Sequence, residues 1–247
     1  MSYKDPKTMG QFPQEFFRLV DGEVLISPAQ ASRFAKDVAG DWNPIHDEGA
    51  KRFCVPGDLL FAIVLSRYGL SPGMQFTFTG MVGENQPLIL PEAPDSVIEV
   101  KDGNGKVYMR VERQGTPVND PAIVEGFVRR YVAFSGRNFP HYLKPLMAEH
   151  GVMFNPDRPM VIYDSMGFEL DLSDADHLDL EFAHAELDVR GRRGSARLDF
   201  SVSAAGQPLG AGSKTLTISG LQPYDEERLQ AFIADFTQRI EAYRRTR

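Results

Sequence analysis

The chain has 247 residues, of which 42% are hydrophobic, 25% charged and 11% aromatic, the balance of a folded protein and not of a disordered one. Its 27 Lys and Arg against 34 Asp and Glu give a formal charge of -7, which excludes an overall positive field for nucleic acid or an anionic membrane surface. The single cysteine, Cys54, excludes an internal disulfide and a zinc site made of neighbouring thiols, and suits a reducing compartment. The opening MSYKDPKTMGQF has no apolar stretch after its basic residues, and no apolar run reaches the roughly 18 residues of a membrane span, so a cytoplasmic chain without an anchor is expected.

In chain order, Ser27-Pro28-Ala29-Gln30 has the form of a capping box and predicts a helix start. Ala31, Phe34, Ala35, Val38 and Ala39 continue at helical spacing, and Gly40 stands where a stop is expected. The next residues, DWNPIHDEGAKRF, must form a loop, because Pro44 forbids simple continuation and restricts Asn43. After Pro56-Gly57, the unbroken apolar run Leu59 to Leu65 predicts a helix buried on every side, closed by Gly69 and Pro72.

From Gln75 to Ala133 the expectation is strands, with Phe76 and Phe78 alternating with threonines and Val97, Val107, Val111, Val124, Phe127 and Val132 in later extended segments. Asp102-Gly103-Asn104-Gly105 is a hairpin turn. A short helix over HYLKPLMAEHG opens the second half, followed by four extended runs near 160–172, 178–190, 195–204 and 209–219. The end is an amphipathic helix with Leu229, Phe232, Ile233, Phe236, Ile240 and Tyr243 on one stripe, expected to pack on the outside of a sheet. The length suits one large domain or two small ones, and the shared order of elements favours two.

The stretch AGDWNPIHDEGAKRFCVPGDLL, residues 39 to 60, places an acid, Asp41, and a base, His46, on a stiffened loop directly ahead of the helix that starts near Gly57. His46 can exchange a proton near neutral pH, a carboxylate beside it can share one water, and the uncapped N–H groups of a helix start can polarise a carbonyl. Those are the parts needed to add water to a double bond conjugated to a thioester, or to remove it. The competing reading is that Asp41 and Asn43 simply close the loop through side-chain to backbone bonds. Spacing alone leaves both open.

The residues GDWNPIH, Gly40 through His46, resemble the G-D-x-N-P-[LIV]-H signature of MaoC-like and (R)-specific enoyl-CoA hydratases, the hydratase-2 family of hot-dog proteins. The resemblance implies an α+β double hot-dog, with antiparallel sheet wrapped on central helices and a C-terminal amphipathic helix outside. It implies an N-terminal hot-dog over 1–138 that carries the motif and a second half over 139–247 without it, and hence chemistry in the first half only. Position by position, Asp41 and His46 match the family's catalytic pair, Asn43 the motif asparagine, and Gly57 the glycine whose N–H meets the thioester carbonyl.

The implied function is a hydratase or dehydratase of an enoyl or 3-hydroxyacyl thioester. No metal or redox cofactor is expected, since coenzyme A or an acyl carrier enters as part of the substrate. Lys51 and Arg52, which flank the loop, are the best candidates for coenzyme A phosphates. Two hot-dogs in one chain are compatible with a monomer or with a homodimer that buries sheet edge. The alternatives are a binding module that holds an acyl thioester or a protein without turnover, and a thioesterase, against which the hydratase signature speaks.

Two departures from the family stand out: the linker DEGAKRFCVP between His46 and Gly57 is short, and Asp58 puts a carboxylate at the helix start. An acid there favours the helix dipole by ~0.3–1 kcal/mol, yet competes with an enolate for the same N–H groups. Elsewhere, DADHLDLEFAHAE (174–186) places His177 and His184 on opposite faces of a strand, which argues against a metal site. GAGSKT (210–215) leads into an alternating strand and is rejected as a phosphate loop, and Cys54 is read as a small apolar filler.

Overall fold

The computed structural model describes residues 12–92, 94–173 and 177–246. Residues 1–11, which carry the reading about a leader, and Asp174 and Asp176 of the acidic stretch lie outside the described residues. A small hairpin of β1 (Arg18–Val20) and β2 (Glu23–Leu25) precedes α1 (Pro28–Phe34). The capping box forms as expected, with Ser27 Oγ accepting the Gln30 N–H at 3.3 Å and Gln30 Oε1 accepting the Ser27 N–H at 3.1 Å. One wider turn, Ala35–Ala39, extends α1, and Gly40 then takes φ 68°, a left-handed backbone that ends the helix.

The run that is apolar on every side becomes α2 (Gly57–Tyr68), buried from Asp58 through Leu65. Around it come β3 (Gly73–Phe78), β4 (Val97–Lys101) and β5 (Val107–Gln114), with the hairpin turn closed by Asp102, whose Oδ1 accepts the N–H groups of Asn104 and Lys106. The strand expectation fails at 121–136. These residues form helix α3 (Pro121–Gly136), with Asp120 Oδ1 accepting the Ala122 and Ile123 N–H groups. Val124, Phe127, Val128, Tyr131, Val132 and Ser135 are its buried stripe, at helical and not alternating spacing. Arg129 and Arg130 accordingly sit on a helix and not on a strand.

The second half contains α4 (Leu143–Glu149), the short β6 (Val152–Met153), and then β7 (Met160–Leu170), β8 (Asp179–Arg190), β9 (Arg193–Ala204) and β10 (Gln207–Ser219), followed by β11 (Gln222–Pro223), which pairs with β6, and helix α5 (Glu226–Arg245). The fold is the α+β double hot-dog. Its two halves join between β3 and β7 into one antiparallel sheet in the order β4-β5-β3-β7-β10-β9-β8. Both helices pack on one face of it: the Phe61 ring meets Phe76 of β3 at 5.1 Å and Tyr131 of α3 at 4.7 Å, and Tyr131 meets Phe200 of β9 at 5.6 Å.

The end of α3 presses directly on the loop after α1. A Cβ on Gly136 would stand 2.0 Å from the Ala39 carbonyl oxygen and 3.0 Å from the Asp41 nitrogen, so only glycine lets the two segments approach. Gly136→Ala is expected to lower the free energy of unfolding by roughly 1–3 kcal/mol through overpacking. Gly126→Ala, on the same helix, meets only an Arg130 side-chain nitrogen at 3.4 Å, and is expected to be neutral or to stabilise by up to about 1 kcal/mol. Urea denaturation of the two variants checks the contrast, and equal midpoints would contradict the close approach.

Candidate active site

After Gly40 the chain is held by its own side chains. Asp41 Oδ1 accepts the Asn43 N–H at 2.9 Å, and Asn43 Oδ1 accepts the Ile45 N–H at 3.3 Å, capping the single 3-10 turn Pro44–His46. The loop-closing reading therefore holds for one oxygen of each residue. The other oxygen of Asp41, Oδ2, stands 3.5 Å from His46 Nε2. On the far side of the ring, Nδ1 lies 2.6 Å from the Cys54 carbonyl oxygen, and a carbonyl only accepts, so Nδ1 carries hydrogen and Nε2 is left to face Asp41. The short linker serves this geometry: its end at Cys54 is the backbone that orients the ring.

His46 is 7% exposed. Burial pushes its pKa down, but the hydrogen bond and charge of Asp41 outweigh burial and hold it above the ordinary imidazole value. Burial pushes Asp41 up, and His46, the Asn43 N–H and the Lys214 cation reverse this and hold the carboxyl below its ordinary value. Because His46 is raised, its contribution to stability is complete below 6.5 and is lost as pH rises through its folded value. Because Asp41 is lowered, its contribution is present above 3.8 and is lost as pH falls through its folded value. Cys54 is a buried filler, its thiol pushed up to about 11 by desolvation.

Asp41, Asn43 and His46 line one cavity of about 290 Å³ together with Gly57, Phe78, Tyr163 and Lys214. Among the described residues no side chain caps the start of α2, so the N–H end of this helix is presented without a competing acceptor from them. Glycine is required there, since a Cβ on Gly57 would stand 2.9 Å from the Phe78 ring and 3.1 Å from that of Tyr163. Asp58 does not cap these N–H groups: its Oδ2 accepts the Ser135 hydroxyl at 2.6 Å.

The side chain that sequence reasoning missed is Lys214. It lies within GAGSKT, and it is 2% exposed, with Nζ bonded to Ser135 Oγ and 4.0 Å over the centre of the Tyr163 ring. The signal was present in the strand pattern, because Lys214 alternates in phase with the buried Leu216 and Ile218. Lys51 and Arg52 are exposed on a turn and do not line the cavity. His177 meets Arg130 at 2.6 Å and Asp179 at 3.2 Å on the surface.

Helix α5 does not pack on the outside of the sheet. It crosses the loops on the cavity side, where Phe232 and Phe236 form part of the wall, the Tyr243 ring meets Trp42 at 5.2 Å and Arg239 pairs with Asp47. Its apolar stripe has these loop aromatics to cover, including Phe139 at 5.5 Å from Phe232, and so has no need of a sheet face. No described helix is long and apolar enough to cross a membrane.

The chain belongs to the family described as Protein of unknown function (DUF3581), whose model matches residues 11–227. No curated protein matches it. Among solved structures it is similar to a MaoC-like dehydratase, with 10% identity, TM-score 0.41, and 83% of this chain and 98% of that one covered. It is also similar to the tesB protein of Mycobacterium avium subsp. paratuberculosis, with 8% identity, TM-score 0.43, and 85% and 99% covered. A third is the peroxisomal multifunctional enzyme type 2 of Drosophila melanogaster, with 12% identity, TM-score 0.39, and 78% of this chain and 47% of that one covered. Likeness at these scores decides no reaction, and the chemistry must be read from the site itself.

Removing the Asp41 charge leaves burial as the dominant influence on His46. In Asp41→Asn the imidazole is therefore expected to titrate below 6.5, where in the unaltered protein it titrates above that value. NMR of the ring carbons across pH 4 to 9 checks this, and a titration that Asp41→Asn leaves in place would show that the two groups are not coupled.

Proposed function

We propose that the protein is a hydratase or dehydratase of the MaoC-like type, acting on an enoyl or 3-hydroxyacyl thioester. The observation that carries the reading is that Asp41 Oδ2 and His46 Nε2 face each other in the same cavity that receives the uncapped start of α2 at Gly57. The thioester oxygen is placed against the Gly57 N–H, which draws electron density from the β-carbon. A water held by Asp41 and His46 attacks that carbon, and its proton passes to His46 Nε2 while negative charge moves onto the thioester oxygen. Return of the proton to the α-carbon restores the carbonyl, so hydration balances without a redox partner. Dehydration is the same path reversed.

Within this reading Asn43 shapes the loop, and Lys51 and Arg52 are the exposed cations for the phosphates of a coenzyme A that enters past them. Of the two proposed halves, 1–138 supplies Asp41, His46 and Gly57. The half 139–247 supplies Lys214, one of the charges that keep Asp41 ionised, so the second half is part of the site and not only its support.

Incubation of the protein with short and medium trans-2-enoyl-CoA, followed by loss of the conjugated absorbance, tests the reading. Asp41→Asn and His46→Gln are each expected to lower kcat by roughly 10²–10⁴-fold. Turnover indifferent to both changes would overturn the assignment of the pair. Saturable binding of the thioester with no turnover at any chain length would replace the enzyme with a binding module.

A further inference from the structure

The hydratase reading leaves Asp58 unused, although it lines the cavity next to Gly57 and is 4% exposed. Its surroundings set the direction of a short chain of hydrogen bonds. The Lys214 ammonium only donates, so Ser135 Oγ accepts from Nζ, and the Ser135 hydrogen goes to Asp58 Oδ2 at 2.6 Å. The remaining oxygen, Asp58 Oδ1, is buried and has no hydrogen-bond partner among the described residues. A carboxylate oxygen in that position is a buried negative charge with no donor, which is costly. A protonated one is a donor that lacks an acceptor.

We propose that Asp58 is a neutral carboxylic acid whose Oδ1–H, with the Gly57 N–H, donates to the carbonyl oxygen of the bound acyl thioester. The inference rests on the acyl-thioester reading and adds to it a second donor at the oxygen where negative charge develops. It also resolves the conflict at the helix start, because an anion there competes with an enolate for N–H groups whereas a neutral acid joins them. Burial pushes the Asp58 carboxyl up, and the Asp41 carboxylate adds to this. Lys214, the Ser135 hydroxyl and His46 act in the opposite direction without reversing the shift. The proton stays on Oδ1 throughout, so Asp58 stabilises charge and transfers nothing. Ser135 and Lys214 are positioning residues, which fill Oδ2 and so reserve Oδ1 for the ligand.

Butyryl-CoA, a saturated thioester that cannot be hydrated, is the probe. With its carbonyl carbon-13 labelled, infrared difference spectra are expected to show the carbonyl band moved to lower frequency on binding to the unaltered protein. The shift is expected to shrink in Asp58→Ala and to persist largely in Asp58→Asn, whose amide nitrogen donates while its oxygen still accepts from Ser135. In parallel, Asp58→Ala is expected to lower kcat on enoyl-CoA by roughly 10²–10³-fold, and Asp58→Asn by less than about tenfold. If the alanine variant does not fold, a protonated-carboxyl band at pH 7 that disappears in Asp58→Asn answers the same question. An absence of that band, an equal carbonyl shift in Asp58→Ala and the unaltered protein, or equal damage from Asn and Ala would each overturn the proposal. A carbonyl shift without any turnover would sink the hydratase reading and leave this one standing, hydration with no dependence on Asp58 would do the reverse, and failure to bind butyryl-CoA would remove both.

Discussion

His46, Asp58 and Lys214 are withdrawn from water into the wall of one cavity that the partly buried Asp41 also lines, and none of the three is tolerable there alone. An isolated charge in such a place costs several kcal/mol, and opposite charges with hydrogen bonds offset that cost only when their geometry is held. The rest of the fold is arranged to hold it. Asp41 and His46 come from one loop, Asp58 from the start of α2, Ser135 from the end of α3 and Lys214 from β10. Their meeting depends on the seam where β3 and β7 join the two halves into one sheet.

Close approach is the means by which these segments are brought together. Gly136 lets α3 touch the backbone at Ala39 and Asp41, and Gly57 lets α2 begin against the rings of Phe78 and Tyr163. The aromatic side chains Phe61, Phe76, Tyr131 and Phe200 then meet edge-on or tilted, one after another, across α2, α3 and the sheet, so that the polar cluster sits at the end of a well-packed core. Low local dielectric strengthens the Asp41–His46 interaction and is the same condition that makes an unpaired Asp58 oxygen expensive.

Helix α5 closes the cavity from outside with contacts of a different kind. Leu229 is its buried residue among those described, and the remainder of its apolar stripe is half-exposed. Its ties to the Asp41–His46 loop are edge-on aromatic contact, worth about 0.5–1.5 kcal/mol, and ion pairs such as Arg239–Asp47 that are a third exposed and are therefore heavily discounted by solvent. The inner wall is thus fixed by core packing, while the outer wall is held by contacts that are individually weaker.

Most elements were legible in the sequence. The capping box at Ser27, the apolar run of α2, the Asp102 hairpin, the four long strands of the second half and the C-terminal helix all express local rules, and GDWNPIH placed Asp41 and His46 in one loop. Helix α3 was misread because its valines and phenylalanine have strand propensity, and only burial against α2 and the sheet selects the helical period. Lys214 and Ser135 were invisible as site residues, since they are remote in sequence from the motif and carry no signature of their own. Apart from α3, local sequence determined which backbone these segments adopt and which residues of the loop face one another. Tertiary structure alone decided which distant charges share a cavity and which carboxyl oxygen is left without a donor, because burial and Coulomb interactions act through space and not along the chain.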